Sequence, residues 1–295
     1  MARSDWPERI NVQFIDRTLA RRLELTDAHG SAAFARAHAG LFPEVGATSA
    51  PFAGGWATFA GADSPITQAF ALGLEGPVEE DEVARMEAFF RQRGAPTNVE
   101  LCPYADPSIV EIFRKRGYTL TEFSNVLARR LTREDAELSF DDEVRVRHPE
   151  SHEAQAWAET VARGFFPEGD LPPGIVDLFI TSLNSATGTF FLAEIDGQII
   201  GGGVLTIYER VASCGGASTL PAFRGRGAQT ALLRARLRYA ADKGCDLAMV
   251  TTMPGTTSQR NAERQGFRVV YTRSKLQGPG AGGRGPVEGM VKGER

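Results

Sequence analysis

Two stretches of the chain order their apolar and polar segments in the same way. In the second half, an apolar run ending Ala217-Ser218-Thr219-Leu220 leads through a Gly-rich turn into a helical stretch that stops at Lys243-Gly244. Leu247-Ala248-Met249-Val250 then reads as a buried strand, a short polar helix ends at Gly266-Phe267, and an alternating strand runs through Leu276. In the first half, Ile66 to Leu74 is the apolar run and Gly76-Pro77 the turn. Val83, Met86 and Phe90 share a helical face that stops at Arg93-Gly94. A short strand, Val99 to Cys102, precedes a helix bearing Ile109, Ile112 and Phe113 that ends at Gly117-Tyr118, and a closing strand reaches Leu131. The helix-stopping glycines are 23 residues apart in the first copy (Gly94, Gly117) and 22 in the second (Gly244, Gly266). This matched punctuation predicts duplicated β-α-β-α-β units.

Boundaries follow from the same pattern. Residues 132 to 142 are acidic and poorly periodic, which places a linker near residue 140. Beyond it, Val144 and Val146 read as a strand, and Trp157, Val161 and Phe165 with Ala154 and Ala158 give one apolar helix face. Thr189 to Ile195 and Gln198 to Tyr208 flank Asp196-Gly197, a hairpin signal. Residues 277 to 295 hold seven glycines and cannot bury a core, so a flexible tail is expected there. The fold class is therefore α/β, mixed: a first domain over residues 1–140, a second over 141–276, each a largely antiparallel twisted sheet flanked by helices, and the tail.

Composition narrows the function. The 295 residues are 42% hydrophobic and 24% charged, which excludes global disorder and collagen-like repetition. A net charge of −4 argues against a chain whose main task is gripping nucleic acid. Of the 33 basic residues only Lys115, Lys243, Lys275 and Lys292 are lysines. Cys102, Cys214 and Cys245 are an odd number, far apart and without CxxC, so neither a disulfide framework nor a Cys-based zinc site is expected, and Cys214 and Cys245 read as small buried hydrophobes. The N-terminus has no apolar signal region and no run of 18 apolar residues occurs, so a cytoplasmic protein without a membrane partner is expected. His148 and His152 are four apart, but Pro149 between them starts a helix that leaves the rings on no common face, and no metal is expected.

The segment Pro221 to Leu233, PAFRGRGAQTALL, joins a strand to a helix. Gly225 and Gly227 permit a tight turn and remove Cβ atoms that would hold a ligand off the backbone. The helix start adds unpaired N–H groups and the positive end of its dipole, so the turn suits a phosphate or pyrophosphate. It lacks the Lys of a nucleotide P-loop, and Thr230 stands where a dinucleotide fingerprint needs its third glycine. What remains is Arg-x-x-Gly-x-Gly/Ala, met by Arg224 and Gly227 with Gln229 in the last slot.

With this turn, the Asp-Gly hairpin, the strand LAMVTT and Ser258-x-x-Asn261 before Gly266-Phe267, residues 143 to 276 resemble the GNAT superfamily of N-acetyltransferases. The whole chain then resembles a tandem GNAT-like protein. The resemblance implies acetyl-CoA as co-substrate and direct attack of a neutral amine, on a small molecule or peptide, upon the thioester. It implies that Thr219 and Leu220 offer backbone groups to the pantetheine arm. Arg224, Gly225, Arg226, Gly227, Ala228 and Gln229 would hold the pyrophosphate, and Asn261 would contact the cofactor near the acyl end. Many members carry a Tyr four residues before the Gly of the Gly-Phe pair as acid toward the thiolate; this chain has Ala262, and Tyr271 is the nearest phenol in sequence. For a general base, Glu194, Glu209 and a water chain all remain open.

The first copy differs at the corresponding turn. Leu74 to Glu82 has five carboxylates and no base, whereas residues 221 to 238 have five arginines and no carboxylate. Acids at a helix start satisfy the dipole internally and repel pyrophosphate, so the first copy is expected to be degenerate and to shape the acceptor cleft. Arg234, Arg236 and Arg238 are expected to form a solvated face, Ser258 to cap the short helix, and Phe165-Phe166-Pro167 to line the cleft or pack in the core. The competing function is a non-catalytic module that senses acyl-CoA or binds a partner, and an oligomer is compatible with either reading.

Overall fold

The computed structural model describes residues 15–138 and 143–279. Most of the expected tail, and part of the linker, lie outside the described residues. The described residues open with a helix that the repeat pattern did not anticipate, α1 (Arg17–Leu41), capped by Asp16, whose carboxylate accepts from Leu19 N at 2.8 Å. Ala20, Ala28, Ala32 and Ala35 form its buried face. Their small side chains let the helix lie close across a sheet.

The first copy follows as β1 (Thr48–Phe52), β2 (Gly55–Phe59), β3 (Gln68–Phe70), α2 (Glu80–Arg91), β4 (Asn98–Leu101), α3 (Pro107–Arg116) and β5 (Thr119–Arg130). The second comprises β6 (Arg145–Arg147), α4 (Ala154–Phe165), α5 (Ile175–Leu183), β7 (Gly188–Ile195), β8 (Gln198–Tyr208), β9 (Val211–Thr219), α6 (Ala228–Asp242), β10 (Leu247–Thr252), α7 (Thr257–Arg264) and β11 (Arg268–Gln277). The repeat is thus β3-α2-β4-α3-β5 and β9-α6-β10-α7-β11. The hairpin between β7 and β8 turns on Asp196 and Gly197, both at positive φ (50° and 77°), the conformation that favours Asp-Gly there.

The two copies do not keep separate sheets. One mostly antiparallel 11-stranded sheet runs β1-β2-β3-β4-β11-β5-β10-β9-β8-β7-β6. β11, the closing strand of the second copy, lies between β4 and β5 of the first, while β5 closes against β10. Each copy's last strand therefore pairs with the middle strand of the other copy, and the expectation of one sheet per domain is corrected. Each closing strand follows its copy's second helix in the same order, so order along the chain cannot tell which middle strand it joins. The exchange covers what would otherwise be two open strand edges at the centre.

Side chains alternate between two layers. On one face of the sheet, α1 packs on Val126, Ala128, Val211, Leu247 and Met249. On the other, α6 packs on Ala212, Cys214, Ala248 and Val250, and α2 and α3 on Val99 and Leu101. Arg273 of β11 is buried and ties the exchange together. It donates to Glu24 (2.7 Å) and Asp27 (2.8 Å) of α1 and to Glu100 (3.2 Å) of β4. Burial would discharge this guanidinium, but the three carboxylates outweigh burial and hold its pKa well above the ordinary value.

Candidate active site

The phosphate-type turn sits between β9 and α6. Gly225 and Gly227 both adopt the left-handed conformation (φ 80° and 85°), and a Cβ at either would meet nothing within 4 Å. What the missing side chains clear is therefore space outside the protein's own packing. The first bond of α6 runs from Ala231 N to Gly227 O (2.9 Å), so the amides of residues 228 to 230 precede the ladder. No side-chain cap and no acid occupies this helix start. At the matching position of the first copy, Glu79 and Glu82 form a capping box, with Glu80 and Asp81 also in the first turn of α2. Carboxylates therefore occupy the matching helix start of the first copy.

Side chains around the turn brace it. Arg224 donates to Gly164 O (2.8 Å) and Thr219 O (3.3 Å), clamping the turn to α4 and to the end of β9. Gln229 Nε2 donates to Thr219 Oγ1 (2.8 Å), which is what the departure from Gly or Ala accomplishes in this chain. Arg226 points outward, pairs with Glu143 and lies over the Phe223 ring, 5.6 Å from its centroid. Leu220 has its N–H committed to Ile200 O and its carbonyl to Phe223 N.

β9 and β10 pair in parallel only from Val211–Leu247 to Ser213–Met249. Beyond that they part, and a cleft of about 990 Å³ opens, reaching from the turn to the first copy. Arg236, expected on a solvated face, is instead buried at the irregular register of β8 and β9. Its Nη1 donates to Val204 O and Gly215 O, each at 3.2 Å, and its Nε to Leu232 O at 3.1 Å. Burial pulls its pKa down.

Gly225, Gly227, Ala228, Gln229, Thr219, Arg224 and Asn261 all line the cleft; Leu220 and Arg226 do not. Ser258 lines it too, but the cap of α7 is Thr256, which accepts from Gln259 N. Phe165 faces the cleft, stacked on Phe179 (5.8 Å, 7°), whereas Phe166 is core. Tyr271 is not brought to the site. Its side chain is buried under α1, its hydroxyl donates to Glu24 Oε1 (2.7 Å), and burial raises its pKa well above the usual phenol value. So placed, the phenol does not line the cleft, and Tyr271 has no contact there through which to act as the catalytic acid. Glu194 is locked between Arg145 and Arg147, and Glu209 sits in the β8–β9 turn, so neither reaches the cleft.

The carboxylates that do line the cleft are Glu100 and Glu122, both from the first copy, together with Lys275 of β11. Lys275 Nζ lies 2.6 Å from Glu122 Oε2 and 3.8 Å from Glu100 Oε1. Sequence reasoning missed them because they come from strands assigned to separate domains. The available signal was a charged residue inside a buried-type strand, Glu100 between Val99 and Leu101.

An open turn at a bare helix start, set beside two parting parallel strands in a mixed sheet, defines a GNAT-type fold. Residues 153–267 match the model of the acetyltransferase (GNAT) family. The whole chain is similar to a GCN5-related N-acetyltransferase from Kribbella flavida (TM-score 0.61, 17% identity, 89% of this chain and 96% of that one). It is similar also to a tandem GNAT protein from the clavulanic acid biosynthesis pathway (TM-score 0.54, 14% identity, 78% and 79%). A third neighbour is a GCN5-related N-acetyltransferase from Sphaerobacter thermophilus (TM-score 0.50, 15% identity, 71% of each chain). At these identities the likeness is one of fold. No curated protein sequence matches the chain.

Proposed function

We propose that the chain is an acetyl-CoA-dependent N-acetyltransferase acting on an amine of a small molecule or peptide. The carrying observation is the uncapped, acid-free start of α6 behind Gly225 and Gly227, opening into the gap between β9 and β10. The residues fit the cofactor. The glycines leave open space at the turn, and the buried Thr252 Oγ1 in the cleft wall has no hydrogen-bond partner among the described residues. The amides of residues 228 to 230 would hold the pyrophosphate, Arg224 and Gln229 would keep that turn in shape, and Thr219 and Asn261 would flank the arm and acyl end. Arg226 would add positive potential at the rim. Bound there, acetyl-CoA supplies a thioester carbonyl to the attacking amine. The carboxylates within the cleft, Glu100 and Glu122, are the groups able to take a proton from an incoming ammonium.

Acetyl-CoA at a hundredfold excess over Kd adds about 2.7 kcal/mol to stability, a rise of roughly 5 °C for a chain of this size. Gly227→Glu, which places a side chain and a negative charge in the turn, is expected to abolish that rise; an unchanged rise counts against the site. Release of CoA thiol with an amine present marks a catalyst. Acetyl-CoA binding without release across a broad amine panel marks an acyl-CoA sensor.

A further inference from the structure

The cleft passes through the sheet. On the α6 side it is walled by the turn, Val250 and Ala262; on the α1 side its end is built by the first copy and β11. Apart from Phe179, the residues named at that second end lie outside the GNAT-matched residues 153–267. Its floor holds Glu100, Glu122 and Lys275, and its walls include Phe34, Ile66 and Phe179. Behind the floor, Arg273 contacts Glu100 on one side and Glu24 and Asp27 on the other. Four carboxylates thus share two cations. Burial raises the Glu24 carboxyl above its usual range against the pull of Arg273, yet even with Glu24 protonated the floor keeps an excess of negative charge.

We propose that this end is the acceptor subsite and that it selects a cationic amine with an apolar body and no carboxylate beside the nitrogen. The inference rests on the acetyltransferase reading for its chemistry but not for its binding. The ammonium sits on Glu122 and Glu100, sharing them with Lys275, while Phe34, Ile66 and Phe179 cover the apolar part. Glu122 is only 14% exposed at its side chain and Glu100 7%, so their charges are weakly screened. A carboxylate on the acceptor would be brought against the same two groups. In turnover the bound ammonium gives one proton to a floor carboxylate. The neutral nitrogen bonds to the thioester carbon as the C–S bond breaks, and its second departing proton ends on the CoA sulfur.

The test uses the full chain with saturating CoA, which permits no turnover, and titrates phenethylamine, 2-phenylethanol and phenylalanine by calorimetry. Phenethylamine is expected to bind at least tenfold more tightly than either of the others. Glu122→Gln is expected to weaken it about tenfold, and Lys275→Gln, by removing a competing cation, to tighten it several-fold. A general loss of packing would weaken binding in both variants, so opposite signs isolate the electrostatic role. Equal binding of the three probes, no effect of Glu122→Gln, or weakening by Lys275→Gln overturns the proposal. CoA binding is recorded in the same titrations. CoA bound without amine discrimination sinks this subsite alone, whereas amine discrimination without CoA binding sinks the acetyltransferase reading alone.

Discussion

Arg273 is the point at which the exchanged strand is most open to perturbation. Arg273→Met keeps much of the side-chain volume but strips the charge and five donors from a site where Glu24 is fully buried and Glu100 nearly so. The Coulomb energy of the cluster is not the measure of the loss, because both sides were desolvated on folding. What counts is that Glu24, Asp27 and Glu100 are left without their cation, and removing one partner of a buried pair costs about 3–5 kcal/mol. For a chain of this size that is a drop in Tm of roughly 5–9 °C. Arg273→Lys keeps the charge but cannot donate to three carboxylates at once, so its loss is expected to be smaller. Urea unfolding followed by tryptophan fluorescence measures both variants. Arg21, whose pair with Glu75 is about half exposed, is the control: Arg21→Met should cost no more than about 1 kcal/mol. A loss under about 1 kcal/mol for Arg273→Met, or equal losses for Met and Lys, would refute the reading that this cluster locks β11 into the first copy.

Calorimetry of acetyl-CoA with the full chain should give one site per chain, because the capping box of α2 fills the matching position; two sites would contradict the degeneracy of the first copy. Gly202→Ala would place a Cβ 2.4 Å from Trp157 Nε1 and 2.8 Å from Val161, so a loss of about 1–3 kcal/mol by overpacking is expected in a melting experiment. Burial, reinforced by Glu24, pushes the Cys102 thiol up to about 12 from an ordinary 9. A raised pKa means that the folded state holds the proton longer. The associated stability is fully present below pH 9 and declines as pH rises toward 12, by about 1.4 kcal/mol per unit. Cys102→Ala should flatten that part of the pH–stability curve relative to wild type, and parallel curves would show that the thiol does not contribute.

The duplicated order of elements, the Asp-Gly hairpin and the glycine turn into α6 were all legible in the sequence, because each depends on residues within a few positions of one another. Gly227 at positive φ, the acid-free start of α6 and the acidic start of α2 are local chemistry, and local chemistry is written in order along the chain. Arg236 and Tyr271 were read less well, and Glu122 was not singled out, for the opposite reason. Whether an arginine on a helix is solvated or pinned beneath a strand irregularity, and whether a phenol faces a cleft or a helix 247 residues earlier in the chain, depends on what packs against it. The exchange of β5 and β11 is the clearest case. A closing strand can satisfy its backbone hydrogen bonds against either middle strand, so local sequence marks the strands and leaves their partners to tertiary packing. That packing, with Arg273 fixed among carboxylates of α1 and β4, is what carries Glu100, Glu122 and Lys275 to the end of a cleft whose other end is the turn of the second copy.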